Sequence, residues 1–224
     1  MEAELVALFG GGLAGQWLTK IVGPTLEDFS HDLRDWVQRK RGKNLQAIVV
    51  EAVRITEGKE IHAVPGRTYL PLLTAASCED DPDLQKLWAA LLASAALNPD
   101  MIPPAYPKML SELSPLDARI LEYLFQETIK TGRHPTIIEC MTVLEALNIT
   151  LPASFLVPNG GGLIFDEFPF GAAAQNLGRL QLVVTGLAEH YGLNVQFLKL
   201  ETLYLTASGF AFARACHPPQ GIRC

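Results

Sequence analysis

Glu79, Asp80 and Asp81 stand in a row directly ahead of a nearly uninterrupted apolar run in "SCEDDPDLQKLWAALLASAA", residues 77–96. Three acids close together can hold a divalent cation or act as an acid–base pair. They can equally form the start of a helix, where negative charge meets the positive end of the backbone dipole. A Mg²⁺ or Ca²⁺ site wants further oxygen ligands nearby in space, and the sequence shows none beside the run. Asp80 or Asp81 is a natural N-cap before Pro82, which suits the first helical turn, and Asp83 follows in that turn. Behind them Leu84, Leu87, Trp88, Leu91, Leu92 and Ala95 recur at spacings of three and four, the stripe a helix buries. The acids are therefore read as a helix junction. A metal-dependent nuclease built on them is the catalytic alternative.

Other residues capable of chemistry are scattered. Cys216 and His217 are adjacent and could hint at a metal site or a nucleophile, but no second ligand pair accompanies them. His31, His62, His134, His190 and His217 include no pair at helical ligand spacing and no H-E-x-x-H. Glu189, His190 and Tyr191 are linked only by proximity. "NGGG" at 159–162 lacks the G-K-[ST] of a P-loop and reads as a loop, and there is no G-x-S-x-G elbow. The sequence shows no catalytic, cofactor-binding or metal-ligating constellation, which weighs against an enzyme but leaves open one assembled from scattered residues.

The elements that would position these residues fall into three regions, 1–60, 61–113 and 114–224. The first is helical and Gly-rich at its start. Leu5, Leu8, Phe9, Leu13, Trp17 and Ile21 lie near one helical face, with glycines at 10, 11, 12 and 15 that allow close helix packing. The stretch is too short and interrupted to span a bilayer, being cut by Lys20 and stopped at Pro24. Glu2 and Glu4 precede it where a signal peptide would be basic. Sheltering by protein is expected, by the rest of the chain or by a second copy, with a homo-oligomer through these helices favoured and membrane contact, if any, only on activation. Leu26, Phe29, Leu33, Trp36 and Val37 predict a second helix, and a further apolar run covers 45–55. Arg39, Lys40, Arg41 and Lys43 make the one dense basic patch, a candidate contact for lipid or nucleic-acid phosphates.

The second region is a helical core carrying the acid run. In the third, "LSPLDARILEYLFQE" gives an N-cap at Ser114, Pro115 in the first turn and an apolar helical face. "TIIECMTVLEALNI" reads as a short helix, 152–171 as a long loop, and "GAAAQNLGRLQLV" as a third helix ending near Val183. Residues 193–205 alternate as β-structure, and a last helix is capped at Thr206 or Ser208. The fold class is mainly α: an N-terminal helical region, a helical middle and a winged-helix-like C-terminal part with a short β-hairpin. Winged helices can read DNA with the third helix, which here offers Arg179 as its lone cation. From residue 114 on there are seven Lys/Arg against nine Asp/Glu, and the whole chain carries a formal net charge of −6. That is a poor footprint for nucleic acid, so a winged-helix DNA-binding regulator stands as the second reading. Four cysteines without a C-x-x-C pair point to free thiols in a reducing cytosol, with a location peripheral to the inner membrane as the variant.

"VPGRTYLPLLTAASCEDDPDLQKLWAALLASA", "LSPLDARILEYL", "NLGRLQLV" and "LYLTASGFAFARAC" occur in this order. Together they resemble the bacterial abortive-infection alpha family over about residues 35–217. The family's typical "ANLLA" stands here as "AALLA", and the insert at about 148–172 departs from its more compact pattern. The resemblance implies a role in phage defence, with an unknown phage or host protein as partner. It transfers no catalytic residue. Its signature residues Glu79, Asp80, Asp81, Leu84, Gln85 and Trp88 are expected to be structural.

Overall fold

The structure, a computed structural model, describes residues 13–22, 41–133, 136–150, 169–191 and 196–217. It is mainly helical, with a small three-stranded antiparallel sheet near the C-terminus. The chain divides into two compact units, residues 1–112 with 214–224, and residues 113–213. The predicted helix over 26–37 and the loop at 159–162 lie outside the described residues.

The first unit holds α1 (Leu13–Val22), α2 (Arg41–Thr56), α3 (Gly66–Ala76), α4 (Pro82–Leu97), a 3-10 turn (Pro99–Met101) and α5 (Tyr106–Ser111). Its central element is α4. A helix that is apolar all round must be covered all round, and Leu84, Leu87 to Ala93, Ala95 and Ala96 are all buried. The alanines let neighbouring backbones approach. α2 lies along α4 and buries Leu45, Ile48, Val49 and Ala52, spaced by three and four, while α3 packs on α4 from the other direction along the chain. Ser94 in α4 donates to the carbonyl of Ala215, 2.9 Å away, within this unit.

α1 packs on α2, burying Trp17, Leu18, Ile21 and Val22. The Trp17 indole donates to Thr56 Oγ1 at 2.9 Å, and that hydroxyl donates to Ala52 O at 3.0 Å, so the one polar atom of a buried tryptophan is satisfied. Val64 N donates to Ile21 O at 2.7 Å, which occupies an orphan carbonyl of the α1 end. Leu13, on the same predicted face, is 75% exposed within the single chain. It opens the helix, one turn ahead of the residues that α2 covers. No helix among the described residues is long and apolar enough to cross a membrane.

The second unit holds α6 (Pro115–Thr131), β1 (Ile138–Glu139), α7 (Cys140–Ala146), α8 (Pro169–Arg179), β2 (Val183–Tyr191), β3 (Gln196–Leu205) and most of α9 (Ala207–Ala215). The sheet order is β1-β3-β2, with both pairings antiparallel. Ile138 and Thr185 both face Leu203 in register, and a shift between Gly186 and Leu187 breaks the β2–β3 ladder. The helices α6, α7 and α8 pack around the sheet, with Phe170, Leu177, Leu203, Leu205 and Phe212 buried. The rings of Phe125 and Phe210 lie 5.2 Å apart.

Three boundaries differ from the sequence expectation. The second helix of this unit covers only Cys140–Ala146, because Ile138 and Glu139 pair with β3 as β1. The third helix of this unit ends at Arg179, not near Val183, and 183–191 is a full strand. The stop is backbone geometry: Gln181 has φ +59°, and Leu182 N donates back to Leu177 O at 3.0 Å. The predicted loop at 152–171 also runs too far, because α8 begins at Pro169. Thr206 rather than Ser208 caps α9, its hydroxyl accepting from Gly209 N at 2.7 Å.

Candidate functional site

The acid run was the sequence's strongest candidate for chemistry, and one oxygen of each carboxylate accepts a hydrogen bond, from backbone N–H groups at Glu79 and Asp81 and from a side chain at Asp80. Asp81 is the N-cap of α4, and its Oδ1 accepts from Asp83 N at 2.9 Å and Leu84 N at 3.0 Å. Those are two of the orphan donors that every helix start leaves. Glu79 folds over the same turn: its Oε1 accepts from Asp81 N at 2.9 Å, and its carbonyl accepts from Gln85 Nε2 at 2.8 Å. Asp80 points elsewhere. Its Oδ1 accepts from Asn44 Nδ2 at 2.7 Å, linking the junction to the first turn of α2. Asp83 pairs with Lys86 at 2.8 Å on an exposed surface, a contact worth little to stability. Leu84 and Trp88 lie buried beneath. The Trp88 Nε1 is buried and has no hydrogen-bond partner among the described residues.

The basic patch is only partly within view. Arg39 and Lys40 lie outside the described residues, Arg41 opens α2, and Lys43 is exposed in that helix's first turn. Cations at a helix start oppose its dipole. Asp80, held by the neighbouring Asn44, places a negative charge at that same turn.

A second constellation escaped sequence reading. Ser114 and Asp117 form a reciprocal capping box at the start of α6. Asp117 is 1% exposed, and its Oδ2 accepts from Ser114 N at 2.7 Å and from Asn176 Nδ2 of α8 at 2.9 Å. Its Oδ1 is buried with no partner among the described residues. Asn176 Oδ1 in turn accepts from Arg179 Nε at 3.2 Å and Nη2 at 2.8 Å. Arg179 is thus held along its own helix, through Asn176, to a buried carboxylate. The S-x-x-D spacing at 114–117 was the available signal. Nothing in the sequence announced the partner at 176.

Among the described residues the remaining candidates do not converge. Cys216 is buried, and burial pushes its thiol far above the usual range, which disfavours the thiolate that a nucleophile or metal ligand needs. Burial also raises the Tyr106 hydroxyl, with Cys216 as a secondary cause. Glu189, His190 and Tyr191 fall on β2, and His62 is exposed between α2 and α3. Among the described residues no group of three or more His, Cys, Asp or Glu could hold a metal ion.

These features define a class: a two-unit, mainly helical protein whose acids at 79–81 sit at a helix junction. The family model for abortive infection alpha matches residues 37–216, and the chain belongs to that family. No curated protein and no solved structure matches it.

Proposed function

We propose that the chain acts in abortive-infection defence against phage, by binding or by membrane disturbance rather than by catalysis, from the cytoplasm or the inner face of the inner membrane. The match to the abortive infection alpha family over residues 37–216 carries this reading. The occupied oxygens of Glu79, Asp80 and Asp81 favour binding over metal chemistry, since a cation there would compete with the cap of α4. Self-association through the N-terminal helices belongs to the same proposal. The test is plating of a broad phage panel on a susceptible bacterium carrying the chain or an empty vector. Plaque counts should fall for some phages. Equal counts throughout would overturn the proposal.

The element order of the second unit favours a second reading, a winged-helix module that contacts duplex DNA through α8. Its test is a band shift at low salt, where electrostatic attraction is strongest. A shift lost in Arg179→Ala would support it. No shift at low salt would remove it and leave the module as a protein-packing element.

A further inference from the structure

We draw no further inference here: the strongest candidate, the exposed apolar residues Ile137, Met141 and Val184 around the three-stranded sheet of the second unit, is an unpartnered surface, and nothing in the structure shows what covers it.

Discussion

Asp80 and Asp81 are chemically identical neighbours with different work, and substitution should separate them. Asp81→Ala removes the acceptor for two backbone donors of α4 and should cost about 0.5–2 kcal/mol, read as a lower urea midpoint. Asp81→Asn keeps an acceptor oxygen and should recover most of that loss. Asp80→Asn leaves the cap untouched, alters one exposed hydrogen bond, and should shift the midpoint little. The reverse order would mean that Asp80 carries the junction. The thiols give a second contrast. Cys78 is exposed, whereas Cys140 and Cys216 are buried. Alkylation of the folded protein followed by peptide mass mapping should modify Cys78 and spare Cys140 and Cys216 until denaturant is added. The raised Cys216 thiol also sets a pH dependence. Its folded form stays neutral while the unfolded thiol ionises near pH 9, so its contribution to stability is complete below that pH and declines above it. Cys216→Ala should flatten the alkaline fall in the unfolding midpoint. Residue types marked the acids and thiols as candidates from the start. Which oxygen meets which donor depended on Asn44, thirty-six positions away, and that pairing has no local signature.

Elements fail where their backbones have no room, and the glycines show it. At Gly209 a Cβ would collide with the carbonyl group of Leu182, because α9 runs directly over the turn between α8 and β2. Gly209→Ala forces backbone apart from backbone and should cost about 1–3 kcal/mol, the usual range for overpacking. Gly132, the C-cap of α6 at φ +64°, has nothing near its Cβ position, so Gly132→Ala meets only the left-handed strain of about 1–2 kcal/mol. Gly66 begins α3 with its nearest neighbour 3.7 Å away, so Gly66→Ala should be neutral or mildly stabilising. Thermal melts of the three variants should rank accordingly, and a Gly209→Ala melt equal to wild type would refute the close approach. The same regions explain what the sequence made legible. α4 and α6 carry an N-cap, a proline in the first turn and a periodic apolar stripe, so their starts could be read directly. The end of α8 carries no such signal. Its turn uses Gln181 at positive φ where a glycine would have announced it, and the apolar residues 180–184 suit a helix as well as a strand. β1, two residues long, exists only through its pairing with β3. The helical middle region gave no separate signal for α3, whose interior holds Pro71, a residue that usually breaks a helix.

At the scale of the whole chain, each unit has its own buried core, and the described tryptophans, Trp17 and Trp88, both fall in the first. Tryptophan fluorescence therefore reports on that unit, and α1 can be tested within it. The hydrophobic face of α1 was legible as a surface in need of cover. What covers residues 17–22 is the same chain, through α2, so their apolar pattern alone does not require a second copy. Ile21→Ala deletes a fully buried side chain and should lower stability by about 2–5 kcal/mol, seen as an earlier fluorescence transition in urea. Leu13 is different, being a large apolar side chain left mostly in solvent at the start of the helix. Leu13→Asp should leave the fluorescence transition near that of wild type, because little packing is lost. Self-association through the N-terminal helices needs an apolar contact that does not first unfold α1, and among the described residues of α1 Leu13 is the large hydrophobic side chain in that position. Light scattering over a concentration series should then show a smaller mass for Leu13→Asp than for wild type, while Gln16→Ala, a polar change at another exposed position of α1, should keep the wild-type mass. An unchanged mass for Leu13→Asp, with the wild type self-associating, would move the contact away from α1 and leave that helix as packing for the first unit.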